Sequence, residues 1–273
     1  NTWSVDMTLR KNDKAYWEGL LDNKYADIQS LAMRMLADLD TDKKMSAKFL
    51  EIYRTTPFNT TRMEAVKLLS RYKDGSFTEV LKESVNDAYE LAARLSANYA
   101  AFNGDESLIP YVVEGMIEHN ERLRVQMGIQ KALSLFPKDK VLKAVDDFYA
   151  KVDRVNEEDE KARVLRGLNN GYKSDAKNHA VAMDKNATEN KRIMAIRTVR
   201  NYTAHVNVDD YLKLIRDEAN PLEVRVVMTE ALGWFTQSVK SPYIVSELKK
   251  YQNASLPEDL RLEIEQTINR LTF

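Results

Sequence analysis

The side chains able to do chemistry in this sequence are scattered. His119, His179 and His205 lie far apart. No two have the spacing that puts a pair of imidazoles on one helical face for a metal. The expectation is three surface or loop histidines. Cysteine is absent, which excludes disulfides, thiolate metal sites and a cysteine nucleophile. The eight glycines build no phosphate-cradling loop, and no serine stands in a nucleophile elbow. Carboxylates do cluster. Glu157-Glu158-Asp159-Glu160 lacks the spacing of a calcium loop and reads as an acid-rich helix N-terminus, which the helix dipole favours. Asp146-Asp147 and Asp209-Asp210 read as solvated helix faces. Asn59, Asn186, Asn201 and Asn253 each open a glycosylation acceptor pattern, a match that an Asn-rich chain produces by chance. No catalytic residue, cofactor or metal ligand is assigned.

The elements that would position any site are more regular. The chain has 273 residues, near the upper size for one compact core, so two domains or an elongated array is expected. Only eight glycines and six prolines interrupt it; so few breakers point to an all-helical chain. Pro221-Leu222-Glu223-Val224-Arg225, Pro257-Glu258-Asp259-Leu260-Arg261 and Glu189-Asn190-Lys191-Arg192 each open a helix with Pro or a polar residue, then an acid or amide, then Arg. Pro at the first helical position loses no hydrogen bond, and acids there suit the dipole. From each Arg, apolar or small residues recur at +3, +6, +7 and +10, a single helical stripe.

The same template begins at Gln29, Arg62, Glu90, Arg122 and Lys161, giving eight anchors with a mean step of about 33 residues, inside the range of helical repeats. The small residue at +6 (Ser96, Gly128, Gly167, Thr198, Ala231, Thr267) would let a neighbouring helix approach closely; Met35 and Leu68 depart from this. Between anchors lie second amphipathic segments, Lys44–Arg54, Glu106–Ile117, Val141–Val152, Asp209–Asp217 and Tyr243–Tyr251, separated by turn signals such as Lys73-Asp74-Gly75-Ser76 and Asn103-Gly104-Asp105. Pro110 is placed in the first turn of its helix.

Arg at the anchor, acids just before it and a small residue after it resemble HEAT repeats, over residues 14–271. The resemblance implies a right-handed α-α superhelix, a HEAT-like (armadillo-type) solenoid of about eight helix pairs. Its members are mostly scaffolds and binding surfaces, with a few enzymes. Residues 13–273 are assigned to the solenoid. Residues 1–12 differ: Trp3, Val5, Met7 and Leu9 alternate with polar residues, as in a strand. They read as an extended arm over the end of the array, with the end of an upstream domain as the alternative. Trp17 is expected to cover the open end, since terminal repeats must cap their core.

A solenoid often binds along one rank of helices. If the anchored helices line that side, positions +5, +8 and +9 face solvent. The candidate concave face is then Lys67, Arg71, Asn98, Tyr99, Lys131, Arg166, Asn170, Arg197, Asn201 and Trp234. Amides there suit an extended peptide backbone, cations suit carboxylates or phosphates, and Tyr99 and Trp234 suit aromatic anchors. A polar stripe is also what any helix shows on the side away from its core. The function expected is a non-enzymatic protein- or peptide-binding scaffold. One alternative is a C-terminal accessory module of a larger exported hydrolase. The other is a HEAT-like enzyme acting on nucleic acid, which a net charge of −1 disfavours. No apolar run reaches the ~18–20 residues of a membrane span. The lack of cysteine tilts the expectation toward an exported chain over a cytoplasmic one.

Overall fold

The computed structural model describes residues 9–119, 121–154, 156–199 and 206–272. It is all-α: among these residues there is no strand. Helices run in the order α1 (Lys14–Glu18), α2 (Ala26–Leu39), α3 (Ser46–Thr55), α4 (Asn59–Leu69), α5 (Ser76–Ser84), α6 (Glu90–Asn103), a short 3₁₀ turn (Glu106–Leu108), α7 (Ile109–Glu118) and α8 (Leu123–Leu133). They continue with α9 (Lys138–Tyr149), α10 (Glu157–Met183), α11 (Glu189–Val199), α12 (Val208–Arg216), α13 (Leu222–Leu232), α14 (Ser241–Tyr251) and α15 (Glu258–Thr272).

The turn chemistry sets these boundaries. Gly75 (φ +89°) precedes α5 and Gly104 (φ +74°) follows α6, left-handed positions where a Cβ is costly. The Gly104 N–H returns to the carbonyls of Ala100 and Ala101. Pro110 does stand in the first turn of α7. The four acids Glu157–Glu160 open α10, as the dipole argument expects.

Each anchor falls in, or at the N-cap of, its own helix, and these helices pack in succession: α2 on α4, then α6, α8, α10, α11, α13 and α15. A second rank contacts α3–α5–α7–α9 in order, and α12–α14. The sequence pattern singles out no first helix between Lys161 and Arg192. The 27-residue α10 fills that place: its first half packs on α9 and α8, and its length carries it on to α11.

What the anchors do is specific. Arg192 is buried; its Nε donates to the Ala182 carbonyl at 3.0 Å and an Nη to Asn220 Oδ1 at 2.8 Å. Arg225 repeats this, donating to Ile215 O at 2.8 Å and to the Tyr251 hydroxyl at 2.7 Å. Gln29 Nε2 donates to Leu21 O at 2.5 Å. Each supplies a donor to carbonyls near the end of the preceding helix or turn, where intrahelical partners run out. The small +6 residues also have a definite use. A Cβ on Gly128 would fall 2.6 Å from Arg94 Nε, and one on Gly167 would fall 3.2 Å from Gln130 Oε1. The space they leave is occupied by a long polar side chain from the neighbouring helix. Thr267 instead donates its hydroxyl to Thr229 O on α13.

The apolar residues separate into two clusters. One runs from Trp17 to Leu168 and the other from Ala182 to Leu271; both end inside α10. Trp17 is fully buried, its indole N–H donating to Arg10 O at 2.8 Å. Residues 1–8, which carry most of the strand-like pattern, lie outside the described residues; Leu9 is exposed. The clusters also meet far from α10. Phe102, at the end of α6, packs against both. Its ring meets Phe235 edge-on at 5.7 Å, and its carbonyl accepts from Val239 N–H at 3.0 Å. Beside this clasp, Arg71 Nε lies 3.5 Å from Gln237 Oε1.

Candidate functional site

The middle of α10 is where neither cluster covers the backbone, and a cleft opens there. Its floor is Gly171, Ser174 and Asp175 of α10. One wall is Met127, Gln130, Lys131 and Ser134 of α8, and the other is Arg197 and Thr198 of α11. The cavity measures about 340 Å³, in the range of a small ligand site or a few residues of a peptide. A shallower groove of about 360 Å³ continues from it past Thr198 to Met194, Lys191 and Asn178.

The walls are held apart by defined contacts. Gly167 lacks a Cβ, which lets the Gln130 amide lie against α10. The Tyr172 hydroxyl lies 2.9 Å from Leu133 O and 3.1 Å from Phe136 O, a bifurcated donor to the carbonyls that end α8. Burial, reinforced by Asp139 and Asp175, raises its pKa and keeps it a donor. The far half of α10 is fixed by His179, whose Nδ1 is 3.0 Å from the Tyr211 hydroxyl.

Two of the three hydroxyls that line the cleft are committed. Ser134 donates to Lys131 O at 2.7 Å and Thr198 to Met194 O at 2.9 Å. Their oxygens therefore remain acceptors. Gln130 offers both an amide donor and an acceptor, Lys131 and Arg197 offer cationic donors, and Met127 is about half exposed. The set can pair with a polypeptide backbone while seating an apolar side chain. Among the described residues, no three His, Asp or Glu side chains are placed to share a metal ion.

Of the sequence-selected face, Lys131 and Arg197 come together in this cleft. Arg166 and Asn170 are exposed on α10 and do not line it. Lys67 and Arg71 lie elsewhere, in a charged network: Lys67 and Arg34 approach Glu64 at 3.7 and 3.4 Å, and Arg71 approaches Asp38 at 3.9 Å. Two expectations need correction. Tyr99 is no exposed aromatic anchor; it packs against the first cluster. Burial, with Glu64 adding and Arg71 opposing, pushes its hydroxyl up to about 12. Asn98 is half-buried, and its Oδ1 is buried without a hydrogen-bond partner. Trp234 is 53% exposed while the adjacent Phe235 is buried. Asn201 lies outside the described residues. His119 also departs from expectation: it is buried, with Nε2 2.9 Å from Val85 O. His205 lies outside the described residues.

The sequence pattern did not single out Met127, Ser134, Gly171, Ser174, Asp175 or Thr198 as site residues. The available signal was the absence of proline from the 27 residues Glu157–Met183, which leaves the middle of α10 as a shared floor. Comparison of the sequence with protein-family models and with curated proteins finds no match.

Proposed function

We propose that the chain is a HEAT-like right-handed superhelix of about eight helix pairs acting as a non-enzymatic peptide-binding scaffold, with the α8–α10–α11 cleft as its binding site. The observation that carries the reading is the cleft itself: an uncovered helix middle between two cores, walled by amide, cationic and thioether side chains. Groups of this kind bind an extended backbone through hydrogen bonds and one or two side chains through apolar contact. Among the described residues no helix is long and apolar enough to cross a membrane.

Gly171→Phe tests the site. A Cβ there has nothing closer than 3.7 Å, so the substitution fits the helix and fills the cleft. Dodecapeptides selected from a random display library on the native chain should lose at least about tenfold in affinity for the variant, equal to about 1.4 kcal/mol. Unchanged affinity would place their site elsewhere.

A further inference from the structure

We infer that the segment this cleft takes is acidic: an extended polypeptide stretch bearing clustered carboxylates. This rests on the peptide-binding reading and names the chemistry of the partner.

Charge is the first argument. The chain as a whole is slightly negative, but among the described residues the cleft and its continuing groove are lined by Lys131, Lys191 and Arg197 against one carboxylate, Asp175. Among the described residues no carboxylate is paired with Lys191 or Arg197, although surface cations elsewhere are commonly paired, as Lys140 with Glu106, Lys143 with Asp147 and Lys185 with Asp217. Lys131 stands on the α8 wall, Arg197 on the α11 wall and Lys191 on the α11 side of the continuing groove. Convergent cations of one sign steer and orient an anionic partner.

The second argument separates a polypeptide from the other common polyanion. Single-stranded nucleic acid is held by aromatic platforms between cations, and among the described residues none that lines the cleft or its groove is aromatic. Tyr172, on the same stretch of α10, is turned to the α8 carbonyls. The exposed apolar groups are instead Met127 and Met194, flexible side chains that adapt to varied peptide side chains. The acceptor hydroxyls of Ser134 and Thr198 suit backbone N–H groups, which a phosphodiester strand lacks.

The test measures fluorescence anisotropy of the whole chain with three labelled probes: a dodecapeptide repeating Glu-Leu-Glu-Ser, its Gln counterpart, and a single-stranded thymidine dodecamer. The acidic peptide should bind about tenfold or more tighter than the Gln peptide, weaken as salt is raised, and bind no worse than the thymidine strand. The triple variant Lys131→Glu, Lys191→Glu, Arg197→Glu should abolish that preference. Reversal of Lys213, Lys249 and Lys250, on α12 and α14, should leave it within about twofold. Equal binding of both peptides would overturn the acidic preference and leave the peptide-binding reading standing. Binding of neither peptide would remove both. Tighter binding of the thymidine strand, or equal loss from the α12–α14 reversal, would overturn the inference in favour of nucleic acid or of diffuse charge. Circular dichroism of each variant establishes that it is folded.

Discussion

The two clusters solve the same problem with opposite charges. In the first, from Trp17 to Leu168, buried carboxylates collect donors. Asp40 accepts from Lys44 and Met45 N–H at 2.9 and 2.8 Å and from the Tyr72 hydroxyl at 2.6 Å. Asp87 accepts from Tyr89 N–H and the Tyr53 hydroxyl, and lies 3.2 Å from Arg62. In the second, from Ala182 to Leu271, buried arginines serve carbonyls, Arg192 at Ala182 and Arg225 at Ile215. Orphan N–H groups at helix starts and orphan C=O groups at helix ends are complementary debts of any helical array. The stretch of α10 between these solutions is the part that neither core covers.

The comparison is broken most strongly at the clasp. Phe235→Ala removes a fully buried ring that meets Phe102 and should cost about 3–4 kcal/mol. It should also broaden the thermal transition seen by calorimetry, because α10 and the remaining Val239–Phe102 and Arg71–Gln237 bonds would then join the clusters. Next is Arg225→Ala, which leaves the Ile215 carbonyl and the Tyr251 hydroxyl without their donor. A loss of about 3 kcal/mol should appear as faster hydrogen exchange in α12–α15, with α2–α7 unchanged.

A pair of glycines sharpens the picture of close packing. A Cβ on Gly115 would fall 2.4 Å from Val85 Cγ2, a branched side chain that cannot swing away. Gly115→Ala should therefore cost about 2 kcal/mol through overpacking. Gly167→Ala meets only the mobile Gln130 amide at 3.2 Å, and the gain in helix propensity, about 1 kcal/mol, should leave stability level or slightly raised. Chemical denaturation of the two variants reads the difference.

The positions of the helices were legible because the anchor and its stripe are local signals. The +6 glycines were legible as small, although not as seats for Arg94 and Gln130. Other features depend on contacts that no local pattern encodes. The α10 helix runs on through Gly171 to Met183, tied to the end of α8 by the Tyr172 hydroxyl, a length that no anchor marks. The clasp joins Arg71 to Gln237 across 166 residues. His119 is buried because Val85 O and Arg122 give its ring nitrogens neighbours. The cleft depends on all three helices and so had no single-segment signature. Lys131 and Arg197 were legible as outward cations, while their meeting was not.

Smaller effects follow from acid. Burial alone would raise the Asp40 carboxyl, but the bonds from Tyr72, Met45 and Lys44 outweigh it and hold its pKa below 3.8. A depressed carboxylate stabilises the fold above its unfolded pKa, and that contribution is lost as pH falls through the folded value. The first cluster should thus weaken below about pH 4. Tyr72→Phe should lower its stability by about 1.5 kcal/mol at neutral pH and flatten the acid dependence. In the second cluster the bond from Lys185 lowers Asp217, and bonds from Lys250 and Arg216 lower Glu247. These exposed pairs are open to salt. Acid titration in high salt, followed by exchange in each region, should leave the first cluster acid-sensitive and mute the second.

The most direct test of a peptide site at the junction of the two clusters is photo-crosslinking. A Glu-Leu-Glu-Ser dodecapeptide carrying benzophenone, which reacts readily at methionine, is bound to the intact chain, irradiated and mapped by mass spectrometry. The account predicts adducts at Met127 or Met194, the exposed methionines on α8 and α11 that flank the cleft, and their loss with Gly171→Phe. Adducts concentrated on α3, α5, α7, α9, α12 or α14, unchanged by that substitution, would contradict it.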